Sequence, residues 1–196
     1  FRASLNSGKD IVSLEGECRH ITSYLQIQQV RYQDILTYDV DIPEEIANCK
    51  IPKITLQPLV ENALYHGIKN KRGKGRIVVT GRREKDKCVI RVEDNGIGMS
   101  EEFQKTMYQS FTREINTQVN KTQGTGLGLY IIKLIVDAMG GKISCNSKVN
   151  IGTKFKIELN LKIVETPENI DTDKEIDYKK LKGLHILVAE DNKLNR

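Results

Sequence analysis

The stretch from Asp94 to Leu129 constrains this chain most, because it opens and closes in glycine clusters that adjoin elements of different kinds. Asp94-Asn95-Gly96-Ile97-Gly98 follows a strand-like run, Cys88-Val89-Ile90-Arg91-Val92, and Gly124-Thr125-Gly126-Leu127-Gly128-Leu129 precedes a helix-like one. Glycine permits positive φ and close backbone approach, and free amides at a helix start attract phosphate. The second cluster therefore reads as a phosphate cradle, while Asp94, at a strand end, offers a fixed acceptor for an N–H. These features predict a nucleotide held between a carboxylate and a glycine-rich helix start. Residues 100–123, polar and with few apolar anchors, are expected to form a mobile lid over it.

The elements around that stretch predict an α+β fold. Apolar residues at Ile11, Leu14, Cys18, Ile21 and Leu25 alternate steps of three and four, a helical seam suited to a neighbouring helix or a dimer mate. The alternating run over residues 35–42 predicts a strand closed by Pro43. Pro52 is expected to open a helix whose apolar face is Leu56, Leu59, Val60, Ala63 and Leu64, with Glu61, Asn62, Tyr65 and His66 beside or opposite that face. Strands over residues 76–82 and 87–93 form a hairpin. A helix with Leu127, Ile131, Leu134, Ile135 and Ala138 inward stops at Gly140-Gly141, and strands follow over residues 142–147 and 153–162. The sum is a two-layer α/β sandwich: a mixed, mostly antiparallel sheet with helices on one face.

Composition narrows the function classes. The 196 residues are 38% hydrophobic and 29% charged, and no apolar run reaches the roughly 20 residues of a membrane span, so a soluble domain is expected. The net charge of +5 includes a basic knot, Lys69, Lys71, Arg72, Lys74 and Arg76, but acids are dispersed and only 6% of residues are aromatic. Neither a base-stacking platform nor a one-sided basic surface is evident, so no direct contact with nucleic acid is expected. Cys18, Cys49, Cys88 and Cys145 form no C-x-x-C pair, which favours reduced thiols over zinc or a disulfide scaffold.

Leu59-Val60-Glu61-Asn62-Ala63-Leu64-Tyr65-His66-Gly67, then Asp94-x-Gly96-x-Gly98, then Gly124-Thr125-Gly126-Leu127-Gly128-Leu129 resemble, in order and spacing, the N, G1 and G2 boxes of the ATP-binding superfamily of gyrase, the large heat-shock chaperone, histidine kinases and MutL. Within it, Leu56-Gln57-Pro58-Leu59-Val60-Glu61-Asn62-Ala63 with His66-Gly67 resembles sensor histidine kinases of the LytS/YesM type, as does Tyr24-Leu25-x-Ile27-Gln28 with Arg31-Tyr32. The resemblance spans residues 11–162 and implies ATP and Mg²⁺ as cofactors. It implies Glu61 as the candidate catalytic base and Asn62 as a metal contact through its amide oxygen, with Tyr65 and His66 beside them at the nucleotide. Asp94 would accept from the adenine amino group, with Gly96, Gly98 and Thr153 around the base. Gly124, Thr125, Gly126, Leu127 and Gly128 would present backbone to phosphate, and Phe103 and Phe111 would belong to the lid. Tyr65 stands where this family usually has a lysine, which leaves Lys69 or Lys121 to supply the charge.

The same resemblance implies a protein-histidine kinase that passes the γ-phosphoryl of MgATP to a histidine and then to an aspartate of a receiver. Rival readings are a superfamily ATPase driving conformational change and a nucleotide-sensing scaffold without turnover. Residues 1–34 are expected to end a dimerisation helical region whose acceptor histidine lies upstream, since His20 lacks the following acid or proline of an acceptor motif. Residues 35–163 would be the catalytic domain and residues 164–183 a linker. Residues 184–196 resemble the start of a receiver domain, where Glu190 and Asp191 would help hold Mg²⁺. The expected partners are a second copy of the parent, as a homodimer, and a receiver domain or response regulator. The domain is expected in the cytoplasm, with a parent anchored in the bacterial inner membrane.

Overall fold

The computed structural model describes residues 11–32, 35–71, 73–113 and 125–160. Its centre is a five-stranded sheet in the order β2-β4-β5-β7-β6, comprising β2 (Leu36–Asp41), β4 (Gly75–Glu84), β5 (Lys87–Asp94), β6 (Lys142–Lys148) and β7 (Gly152–Asn160). Only the β2–β4 pair is parallel, and the other three are antiparallel. The sheet is thus mixed and mostly antiparallel, as the hairpin signals predict. Alternation along β4, β5 and β7 sends Ile77, Val79, Ile90, Val92, Phe155, Ile157 and Leu159 into one core. That core is closed by α1 (Leu14–Arg31), by α3 (Gln57–Asn62) with its continuation over Ala63–Ile68, and by α5 (Gly128–Ala138).

The seam of α1 is spent inside this chain. Leu14, Cys18, Ile21 and Leu25 are all buried in the same core as the sheet, so the stripe that could have served a dimer mate has its partner here. Ile11 is not part of it. Residues Ile11–Ser13 form a short strand, β1, antiparallel to β3 (Lys50–Pro52), and Ser13 then caps α1 by accepting from Gly16 N at 3.0 Å. Pro52 therefore ends a strand instead of opening a helix, and α3 begins five residues later with Pro58 in its first turn. A proline is tolerated at such a place because a two-stranded edge makes little demand on its missing N–H.

Between β3 and α3 the chain turns through Ile54, whose φ of 66° is costly for a β-branched residue. Glu17 holds this turn. Its buried carboxylate accepts from Ile54 N at 3.1 Å and from Leu56 N at 3.0 Å, joining α1 to the start of α3.

Helix α5 presents a different face from the one expected. Ile132 and Val136 are buried, whereas Ile131 and Leu134 are 44% and 50% exposed. The helix is apolar nearly all round, so periodicity alone does not select its inward face. Among the described residues no helix is long and apolar enough to cross a membrane. The linker and the receiver-like residues 184–196 lie outside the described residues.

Candidate functional site

Asp94 is the last residue of β5 and pairs in register with Thr153 of β7. Its Oδ1 accepts from Gly96 N at 2.7 Å, and the backbone N–H of Thr153 also reaches the carboxyl. Burial raises this carboxyl from the ordinary 3.8 to about 6, opposed by those two N–H donors and by the Lys71 ammonium. Desolvation is the largest cause, so the group sits in a place that water reaches poorly. Thr153 is itself buried, its hydroxyl 2.9 Å from that of Ser147. Ser147 in turn accepts from Met99 N at 2.9 Å and donates to the Gly152 carbonyl at 3.0 Å.

The end of the α3 segment is pressed against this loop. A Cβ on Gly96 would lie 2.4 Å from the Gly67 Cα, and one on Gly67 would lie 2.8 Å from Asp94 Oδ1. Only paired glycines permit that approach. Ile97 N donates to the Gly67 carbonyl at 3.2 Å, which ties the first glycine cluster to the helix that carries Glu61 and Asn62. The stretch Ala63–Ile68, containing Tyr65 and His66, is π-helical, a geometry that recurs at functional sites. Gly98 has φ 69°, and its missing Cβ leaves room for the Lys148 carbonyl of the β6–β7 turn.

Glu61 and Asn62 are both half-buried on α3. Glu61 Oε1 accepts from Gln57 Nε2 at 2.8 Å, one helical turn earlier. Tyr65 packs against the core, and Lys69 Nζ lies 5.9 Å from its ring centroid. Of Lys69 and Lys121, the two cations expected to supply charge in place of a lysine at position 65, Lys69 is thus held one turn beyond that position; Lys121 lies outside the described residues. His66 is exposed, and its carbonyl accepts from Asn70 Nδ2 at 3.3 Å.

The second glycine cluster is described from Thr125 onward; Gly124 lies outside the described residues. Thr125, Gly126 and Leu127 lead directly into α5, which starts at Gly128. A Cβ on Gly128 would contact Pro58 of α3 at 3.7 Å, so the two helix starts that flank the site are neighbours. A Cβ on Gly126 would meet the Phe111 carbonyl carbon at 2.9 Å.

The segment expected as a lid begins as anchored structure. Ser100 caps α4 (Glu101–Thr106), Met99 and Met107 are buried, Phe103 packs on the core, and Gln104 Nε2 donates to Met99 O at 3.0 Å and Ser147 O at 3.1 Å. Met107 is an apolar anchor within the segment, and Met99 is buried immediately before it. Phe111 is 72% exposed with φ 62°, unlike Phe103, and the remainder, residues 114–123, lies outside the described residues.

Residues 52–163, more than half of the chain, match the family described as histidine kinase-, DNA gyrase B- and HSP90-like ATPases. The chain belongs to this family.

Among curated members, the chain is 30% identical over 162 residues to the sensor histidine kinase YesM of Bacillus subtilis, covering 81% of this chain and 26% of that protein. It is 31% identical over 142 residues to the sensor protein LytS of Staphylococcus saprophyticus, covering 72% of this chain and 23% of that protein. The chain therefore spans about a quarter of the length of these curated relatives. The catalytic domain of the histidine kinase ThkA shares the fold, with a TM-score of 0.59, 24% identity, and coverage of 76% of this chain and 93% of that one.

Residues of this candidate site to which the sequence assigns no role are Gln57, Gly67, Ser147 and Gly152. Gly67 stood inside the recognised motif, and its contact with Gly96 needs the tertiary fold to be seen. Ser147 carries no local signal at all, since it becomes relevant only through the register of β6 on β7, where it faces Thr153.

Proposed function

We propose that this chain is the ATP-binding catalytic unit of a LytS/YesM-type sensor histidine kinase, and that Asp94 selects adenine by accepting its amino N–H. The observation that carries the reading is the Asp94 carboxyl, fixed by two backbone N–H donors at the end of β5 and closely packed against Gly67 and Gly96. A glycine-lined cradle beside a desolvated acceptor fits a flat base that donates through an exocyclic amine.

Asn62 would hold Mg²⁺ through its amide oxygen, a modest share that suits a hard ion retaining several waters. Bound MgATP supplies the phosphoryl group, and catalysis consists mainly of positioning and charge stabilisation. Glu61 would act as the base toward the incoming imidazole, Lys69 would offer charge from beyond Tyr65, and the amides from Thr125 to Gly128 would meet phosphate oxygens. Gly124, Thr153 and His66 complete the binding residues of this reading. The parent would be an inner-membrane homodimer that hands its phosphoryl group to a receiver domain.

Calorimetric titration tests the base assignment. Wild type should bind ATP and discriminate against GTP, which places a carbonyl oxygen where adenine carries its amine. Asp94→Ala should lose about 10- to 150-fold in ATP affinity, the equivalent of a hydrogen bond to a charged acceptor. Equal ATP affinity in a folded Asp94→Ala variant would refute the pocket. Incubation of the kinase with γ-labelled ATP separates the activities: acid-labile phosphohistidine supports the kinase reading, free phosphate alone the ATPase, and neither product the scaffold.

A further inference from the structure

We infer that Gln57 is a positioning residue for Glu61 and that His20, on α1, holds Gln57 in place, so that α1 is linked by hydrogen bonds to the carboxylate at the candidate site. This rests on the role proposed for Glu61.

Gln57 and Glu61 lie one turn apart on α3, so their side chains share a face. Gln57 Nε2 is 2.8 Å from Glu61 Oε1, and Gln57 Oε1 is 2.9 Å from His20 Nε2. The directions of both bonds follow from the groups involved. An ionised carboxylate only accepts, so the amide must turn its NH₂ toward Glu61; its oxygen then faces His20, which must donate from Nε2. The flipped amide would set oxygen against oxygen at Glu61 and is excluded. His20 donates from Nε2 as the Nε2–H tautomer or as the cation, so the link survives in either form.

The same face of α1 carries a second grip on the same segment. Glu17, three residues before His20, accepts from Ile54 N and Leu56 N, the backbone immediately preceding Gln57. The apolar seam of α1 is buried in the domain core. The helix is thereby fixed to the start of α3 at both backbone and side-chain level, and a rotation or slide of α1 would pull first on His20 and Gln57. The Glu61 carboxylate would lose its aim without any change at Asp94, so nucleotide affinity and phosphoryl transfer should separate.

The test is single-turnover phosphoryl transfer in the full-length kinase with γ-labelled ATP, alongside ATP affinity for each variant. Gln57→Ala and His20→Ala should each lower the transfer rate about ten-fold, less than the roughly 10²-fold or greater loss expected for Glu61→Gln if it removes a general base, with ATP affinity unchanged within about two-fold. His20→Gln, whose amide can donate from nearly the same place, should recover most of the rate. Adding Gln57→Ala to Glu61→Gln should cost nothing further, because the two act through one group. His20 is exposed, so its replacement is safe for the fold if Gln57→Ala proves unstable. A Glu61→Gln loss with wild-type rates in both Gln57→Ala and His20→Ala would overturn the link and leave the role of Glu61 standing. Wild-type transfer by Glu61→Gln would overturn that role and the link with it.

Discussion

At Asp94, the proposed binding role and the folding of the chain place opposite demands on one carboxyl. Its folded pKa of about 6 lies above the ordinary 3.8, chiefly because burial disfavours the charge. Between those values the folded chain binds the proton more than the unfolded chain does. Its contribution to stability is therefore present below the unfolded pKa and lost as pH rises through the folded one. In the proposed role ATP binding would run the other way, since only the ionised form accepts from an amine without holding a competing proton. Affinity should rise from about pH 5 to about pH 7.5, and Asp94→Asn should flatten that profile. A pH series of titrations on both proteins checks this, and parallel profiles would count against Asp94 as the titrating group. Asn62 makes a separate demand. Asn62→Ala should remove the Mg²⁺ dependence of nucleotide binding more than it weakens metal-free binding, as read by titration with Mg²⁺ and with chelator. An equal loss under both conditions would assign Asn62 to the fold alone.

Among the elements, α1 shows where the sequence was legible and where it was not. The spacing of Leu14, Cys18, Ile21 and Leu25 announced a helix and its apolar stripe, because that pattern follows from 3.6 residues per turn. The use of the stripe depended on what lay opposite, and the opposite surface was the chain's own sheet core. Strands β2, β4, β5 and β7 were legible for the same reason, through alternation with one buried face. The inward face of α5 was not, since an almost wholly apolar helix carries no phase. Asp94 and the glycines were readable as a candidate site from order and spacing, whereas Ser147 and Gln57 acquire partners only in three dimensions. Glu17 is a similar case: in sequence it is one acid among 26, and in the fold it is a buried clamp. Glu17→Ala leaves two backbone N–H groups without an acceptor, at about 1–3 kcal/mol each. Thermal unfolding should shift down by about 10 °C for a domain of this size, and Glu17→Gln, which keeps one acceptor oxygen, should lose less. A Glu17→Ala melting point within about 2 °C of wild type would show the clamp to be dispensable.

For the molecule as a whole, the two antiparallel hairpins of the sheet have turns at opposite ends, and among the described residues only one of those ends carries the candidate site. At Lys85-Asp86 the turn serves its own strands, with the Lys85 carbonyl accepting from Arg83 Nε at 3.0 Å. At the other end Asn150 N donates to the Ile97 carbonyl at 2.7 Å, and Ser147 receives Met99 N, so the β6–β7 tip is built into the first glycine cluster. Chain length is therefore free at one tip and fixed at the other. Two glycines inserted between Lys85 and Asp86 should cost well under about 1 kcal/mol, as loop closure varies slowly with length, and should leave ATP affinity alone. The same insertion between Val149 and Asn150 should remove ATP binding while the sheet still melts cooperatively, as followed by titration and circular dichroism. Retained affinity there would mean that the tip merely rests on the loop. Tags, reporters and fused domains should thus be accepted at the turn after Glu84, whereas an insertion at the turn after Lys148 should act on the loop of the proposed nucleotide site from outside it.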